Sequence, residues 1–298
     1  MPGPVIAVCG NATRDINRGT APRWVHRRPG GSLLYASCAL AALGARVRAV
    51  GHAPPGAYVL LRRAGVETHA VWPTFPGTRF LNRYGGGSRT QLALPGQRLS
   101  TRMLIRIGDA DGVLVAPVLG EVLASRLPHV PFHSLVDIQG YVRVLEPPTP
   151  LGRWRAVGGI GSMRRLEVPA TGVVRGSVED VAALGMPDPE EAARRLEAMA
   201  APGGVGVVTL GADGALASHD GEIVRVPALS VPVADPTGAG DVFEAGFLYA
   251  RVEGRDLRES LAWGCATAGS FLSSPAPYFL RRFPDPAVVE RAATGLMA

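Results

Sequence analysis

The chain has 298 residues, 47% of them hydrophobic, with a formal net charge of +6, which suits a substantial core in one domain spanning 1–298. All of its basic side chains are arginine, scattered in pairs such as Arg27–Arg28 and Arg194–Arg195 without aromatic interleaving, which argues against nucleic acid as a partner. No apolar run reaches the ~18 residues of a membrane span, and no basic segment precedes an apolar core at the N-terminus, so a cytoplasmic protein without membrane contact is expected. Short β-rich runs then alternate with helix-like segments, the pattern of an α/β fold. Pro4–Val8 predicts a first strand, a small-residue helix follows over Ser32–Leu43, and Arg46–Gly51 returns as a strand. Thr78–Tyr84 and Ser88–Leu94 flank Gly85–Gly86–Gly87 as a hairpin with no helix attached. Gly112–Ala116, Ser134–Asp137, Val173–Val174 and Val205–Leu210 continue the strands, with helices predicted at Glu121–Leu127, Ser177–Leu184 and Pro189–Ala200. Glu146–Pro169, rich in Pro, Gly and Arg, reads as a mobile surface loop. Ala215–Ser218 and Glu222–Val226 form a second hairpin, and helices at Ala239–Arg251 and Leu257–Ser273 close the series.

The most informative stretch is Asp235-Pro-Thr-Gly-Ala-Gly-Asp241, between a Val-rich run and the apolar residues Val242, Phe243, Ala245 and Phe247. Glycines at a strand-to-helix junction let backbone N–H groups converge, and a helix N-terminus adds partial positive charge, so the junction suits an anion such as phosphate. A carboxylate there is repelled by the ligand unless it has chemistry to perform. Asp241 fits a general base that takes a proton from an attacking hydroxyl while the N–H groups steady a transferring phosphoryl group. Taken alone, Gly-x-Gly-Asp equally suits a first-turn acid favoured by the helix dipole.

The longer context resembles the ribokinase family of carbohydrate kinases, the phosphofructokinase-B type. Asp235 to Phe243, followed by Ala245–Gly246–Phe247, is similar to its C-terminal signature. Pro29–Gly30–Gly31 leading into Ser32–Leu43 and ended by Gly44 resembles its earlier signature. Val173–Asp180 resembles the segment where the family carries Asn-x-x-Glu, and Val207–Gly214 its nucleotide-side strand and turn. The resemblance implies a doubly wound, mostly parallel sheet flanked by helices, with a small β-sheet lid from about 11–30 and 76–98. It implies ATP-dependent phosphorylation of an acceptor hydroxyl, with Asp241 as base and the N–H groups of Gly238, Ala239 and Gly240 as the anion hole. Asp15 would bind acceptor hydroxyls with Asn11 as a weaker partner, and Gly30 and Gly31 would contact the acceptor and flex with the lid. Asp180, with Glu179 beside it, would organise Mg²⁺ through water. Thr209, Gly211 and Gly214 would contact the nucleotide. Asp235 and Thr237 match positions that some members use for a monovalent cation such as K⁺, and members often form homodimers through the lid.

The sequence also departs from the family pattern. Tyr35 stands where many sugar kinases have Asn, and Ser177 and Asp180 stand where Asn and Glu are common. Val136–Arg143, with Gln139, resembles an inositol-kinase-like branch, and Asn82 and Arg89 on the hairpin would meet a polyol or an anionic substituent. The expected acceptor is a small molecule: a cyclitol, an unusual sugar or a nucleoside. A nucleoside kinase would need Tyr35 and Phe80 to sandwich a base. A non-catalytic sugar or nucleotide sensor has no reason to keep a base in an anion pocket. A hydride-transfer enzyme lacks its fingerprint, because Gly158–Gly159–Ile160–Gly161 follows no predicted strand. The six histidines show no metal-ligand spacing, and Cys9, Cys38 and Cys265 read as small buried hydrophobes.

Overall fold

A computed structural model describes residues 3–20, 23–85, 88–147, 154–159, 168–169, 171–233, 235–274 and 279–298, without the side chains of residues 20, 23, 24, 84, 85, 88, 89 and 281. The first half supplies β1 (Val5–Asn11), β2 (Thr13–Thr20), β3 (Arg23–Gly30), β4 (Arg46–Ala53), β5 (Glu67–Pro73), β6 (Thr78–Gly85) and β7 (Ser88–Leu94). The second half supplies β8 (Gly112–Val115), β9 (Ser134–Asp137), β10 (Arg143–Leu145), β11 (Arg155–Gly159), β12 (Val173–Ser177), β13 (Val205–Thr209), β14 (Ala215–His219) and β15 (Glu222–Val226). The helices are α1 (Ser32–Ala42), α2 (Pro55–Arg63), α3 (Thr101–Leu104), α4 (Gln139–Val142), α5 (Val178–Ala182), α6 (Pro189–Glu197), α7 (Ala239–Val252), α8 (Leu257–Ser273) and α9 (Pro286–Met297).

Nine strands form the main sheet in the order β15-β14-β13-β12-β9-β8-β1-β4-β5. Those from β13 to β5 run parallel, and the β14–β15 hairpin adds an antiparallel edge. Alternate residues of β1 feed two cores. Ile6 and Val8 pack with α1, α7 and α8, whereas Ala7 and Cys9 pack with α3 and α6 on the opposite face. Burial on both faces explains why these strands read as continuous apolar runs. The chain moves from β1 to β4 and β5 on one side, then returns to β8 on the other. That reversal opens a crevice beyond the carboxyl ends of β1 and β8, where open α/β sheets place ligands.

A second sheet of six strands, β10-β11-β7-β6-β2-β3, stands apart from the first. Its last strand, β3, joins α1 through Gly31, whose φ of 86° favours glycine. Within 146–169, β11 belongs to this sheet and pairs with β7 and β10. The loop expectation therefore fails at 155–159, because strand pairing satisfies that backbone, and the rest of its irregular part, 148–153 and 160–167, lies outside the described residues. The predicted helix at Glu121–Leu127 is also absent; a single 3₁₀ turn occupies Ala124–Arg126. The Glu121 carboxylate instead accepts from the N–H groups of Asn11, Val118 and Leu119 at 2.8–2.9 Å, and Pro128 disfavours helical backbone before it. No helix among the described residues is long and apolar enough to cross a membrane.

Candidate active site at the N-terminus of α7

α7 begins behind its N-cap Gly238, which sits in the left-handed region at φ 85°. A Cβ at Gly238 would collide with the ring of Tyr35 from α1, so glycine is required twice over. The turn leaves the Gly238 and Gly240 N–H groups without an acceptor among the described residues, whereas Ala239 N–H donates to Pro236 O at 3.1 Å. Of the three expected donors, Ala239 therefore closes the turn and the two glycines remain open to a ligand.

Asp241 lies in the first turn and is half-buried. Ser32, at the start of α1, is near enough to favour its charged form, so the two helix N-termini meet at this carboxylate. Burial pushes Asp241 up to about 6, with Ser32 opposing, the Asp137 charge adding to the rise, and Arg175 and Arg143 holding it down. A carboxylate so placed suits a general base near neutral pH. Behind it, oxygens of Asp137, Asp241 and Glu244 all lie within 4.8 Å of one another. Arg175 of β12 reaches into this cluster. Its Nη1 donates to Glu244 Oε1 at 2.8 Å and lies 3.4 Å from Asp137 Oδ2, while Nη2 donates to Thr209 Oγ1 at 2.6 Å. One guanidinium cannot balance three carboxylates. Burial and the Asp137 charge raise Glu244 well above the usual carboxylate range, while Arg175 pulls it down. Arg175 and Glu244 escape the motif reading, yet each is a charge inside an apolar segment, and a buried charge demands a partner.

A cavity of ≈ 490 Å³ opens beside the turn. Thr209, Gly211 and Gly214 are among its lining residues, together with the apolar Leu229, Val231 and Leu272 and with Glu179 and Gly240, the neighbour of Asp241. The structure thus brings together the sequence-predicted nucleotide and anion-hole residues. Asp180 closes a capping box on α5, its Oδ2 accepting from Ser177 N–H at 3.0 Å and from the Ser177 hydroxyl at 2.7 Å. Burial and the Asp137 charge raise Asp180. Asp180 and the exposed Glu179 offer hard oxygens that fit Mg²⁺. Asp235 does not fit a monovalent cation in the same way. Its Oδ1 accepts from Thr237 N–H at 3.1 Å and Thr237 Oγ1 at 2.6 Å, and its Oδ2 pairs with the Arg28 guanidinium.

The second sheet supplies the facing side. On β2, Thr13, Asp15 and Asn17 are buried while Arg14 and Arg18 are exposed. Asp15 accepts from Thr13 Oγ1 at 2.7 Å, and a Cβ on Gly30 would collide with its carboxylate. Register sets Asn17 beside Asn82, and Asn82 beside Gln91. Asn82 Nδ2 donates to Asn17 Oδ1 at 2.8 Å, and Gln91 Nε2 donates to Asn82 Oδ1 at 2.9 Å. Asn17 and Gln91 become visible only through this pairing. Phe80, next to Asp15 in register, carries Arg143 at 5.6 Å over its ring.

Other expected acceptor contacts have side chains engaged within the protein. Asn11 is tied to Gln97 O and His52 N–H, and Gln139 to Asp137, through their side chains. Tyr35 is 1% exposed and packs against Phe271 and Phe279, so its ring belongs to the core. The Arg89 side chain lies outside the described residues.

A sequence profile described as "pfkB family carbohydrate kinase" matches residues 171–279, from the start of β12 through the α7–α8 region. A 1-phosphofructokinase of Haloferax volcanii is 47% identical over 62 residues, covering 21% of this chain and 20% of that protein. The chain therefore aligns with about a fifth of the length of such a curated relative. Solved structures match far more of it. A pyrophosphate-dependent kinase in the ribokinase family, complexed with a pyrophosphate analog and myo-inositol, superposes with TM-score 0.72 at 19% identity over 93% of this chain and 98% of its own. Arabidopsis thaliana ribokinase with ribose and ATP superposes with TM-score 0.69 at 19% identity over 98% and 99%. The chain has a ribokinase-like α/β fold, and its residues 171–279 match the pfkB family carbohydrate kinase profile.

Proposed function

We propose that the protein is an ATP-dependent kinase that phosphorylates a hydroxyl of a small polyol, a cyclitol or a sugar, with Asp241 as general base. The observation that carries this reading is a single junction. A half-buried carboxylate raised to about 6 stands beside two unpaired glycine N–H groups at a nucleotide-sized cavity. The acceptor lies between Asp241 and the Asp15–Asn17–Asn82–Gln91 face, and Asp241 accepts its hydroxyl proton. The acceptor oxygen bonds to the γ-phosphorus as the bond to the β–γ bridging oxygen breaks, and ADP leaves with that electron pair. The Gly238 and Gly240 N–H groups take up charge spread over the transferring oxygens. Asp180 and Glu179 would hold Mg²⁺ through water, and the ion would supply charge neutralisation near the β- and γ-phosphates.

Two features favour this reading over its neighbours. The apolar lining of Leu229, Val231 and Leu272 suits a purine, which a pyrophosphate donor would not need. Tyr35 is committed to the core, leaving Phe80 without the second ring a nucleoside sandwich requires. ADP formation from Mg-ATP across inositols, pentoses, hexoses and nucleosides tests the proposal, with wild type beside Asp241→Asn. We expect turnover with a polyol that falls about 10³-fold in the variant while ATP still binds. Comparable turnover by Asp241→Asn would remove the base, and tight binding without turnover by the wild type would make the protein a sensor.

A further inference from the structure

Arg28 and Asp235 are 207 residues apart in sequence, yet their side chains pair. Arg28 belongs to β3 of the small sheet, opposite Asp15 in register. Asp235 lies on the main body, three residues before Gly238. Its two oxygens have different duties. Oδ1 clips the Thr237 N–H and hydroxyl into the turn that precedes the anion hole, and Oδ2 receives the guanidinium. The ion pair is thus a direct link between the sheet that faces the acceptor and the turn that faces the phosphoryl donor.

The surroundings set charges of both signs around this link. The ≈ 350 Å³ cavity that Arg28 lines also holds Arg14, Arg27 and the start of α2, and no carboxylate is among its lining residues. Those two arginines repel Arg28, while Asp235 on the body and Asp15 across the strand pair attract it. Asp235 meets no second cation among the described residues. β3 reaches α1 through Gly30 and Gly31, so Arg28 is carried on a strand whose junction with the body is glycine.

We propose that Arg28 is a positioning residue that couples seating of the small sheet to assembly of the anion hole, by fixing Asp235 and through it the Thr237–Gly238 turn. When the sheet is seated, the guanidinium holds Oδ2 and the turn keeps its glycine N–H groups aimed at the donor. When the sheet lifts, Asp235 loses its counter-charge and the turn loosens. Phosphoryl transfer to water is then suppressed while the acceptor is absent. The guanidinium also supplies the positive charge at Asp235 that a bound monovalent cation would otherwise provide, so potassium is not required. The kinetic consequence rests on the kinase reading; the structural consequence does not.

Hydrogen exchange of the 235–242 backbone tests the coupling without any turnover. Arg28→Ala should speed exchange there about tenfold, which is the loss of one charge-assisted contact. Millimolar guanidinium ion should restore slow exchange in Arg28→Ala and fail to do so in Arg28→Ala/Asp235→Asn. Arg28→Lys, which keeps the charge, should lie between wild type and Arg28→Ala. Replacing sodium by potassium should leave the wild type unchanged. Wild-type exchange rates in Arg28→Ala, equal rescue of the double variant, or slowing of the wild type by potassium would each overturn the proposal. Once a turnover assay exists, Arg28→Ala should lower kcat about tenfold, with guanidinium rescue. Absence of turnover in the wild type would count against the kinase reading and leave the exchange result to decide the coupling.

Discussion

The two sides of the site are held by different forces. On the donor side, Gly238 is wedged against a buried tyrosine ring, and Arg175 knits β9, β12, β13 and α7 together through contacts to Asp137, Thr209 and Glu244. On the proposed acceptor side, the small sheet is held by strand pairing, an amide ladder, the apolar cluster of Phe80, Ala93 and Val118 and, among the described residues, a partly exposed ion pair to the body. The difference follows from what each side must do. Groups that stabilise a transferring phosphoryl need to be preorganised before it arrives. A surface that admits and releases a substrate has to be drawn from contacts that open cheaply.

The largest effect that separates the two sides is in stability. Arg175 is 3% exposed and Glu244 and Asp137 are fully buried. Arg175→Ala strands those carboxyl groups, and the expected cost is about 3–5 kcal/mol, read as a lowered denaturant midpoint. No exposed arginine of the small sheet should approach that figure. A loss below about 1 kcal/mol would mean that the donor side is not locked by this network.

The same contrast explains what the sequence discloses. The donor side is local: the 235–241 turn, its cap and its base fall within one helix start, so their chemistry is legible from spacing. The parallel strands are legible because burial on both faces leaves runs such as Val205–Thr209. α9 lies outside the predicted elements although Asp285 caps it and Pro286 opens it, a readable signal. Arg175, Glu244 and Asp137 are brought together by strand order and helix packing, which no spacing encodes. Asn17 and Gln91 depend on register, where a one-residue slip would turn them to the other face. Tyr35 and Asn11 carry polar atoms near the site and still serve packing, because the helix face and strand end that hold them point inward.

A smaller effect should sharpen the acceptor side. Asn82 sits in the middle of the ladder, accepting from Gln91 and donating to Asn17. Asn82→Ala should raise the acceptor KM about tenfold, roughly one buried hydrogen bond, and leave the KM for ATP within twofold or so of wild type. Equal changes in both constants would show that the ladder shapes the whole site and that the two sides are not separable.

The smallest effect bears on the base itself. Asp241 is raised from the ordinary aspartate value to about 6, chiefly by burial. In the proposed mechanism activity needs the carboxylate, so kcat/KM should climb with pH through about 6 and then level off. Stability runs the other way. A carboxyl whose folded value exceeds its unfolded value binds its proton more tightly in the native state. Its contribution is fully present below the unfolded value near 4 and is lost as pH rises through about 6. Asp241→Asn removes that loss. The variant should therefore melt above wild type at pH 7.5, with the two converging toward pH 4 and only wild type turning over. A variant that melts below wild type at pH 7.5 would mean that Ser32 and Arg175 outweigh burial, and that Asp241 stabilises the turn it was expected to burden.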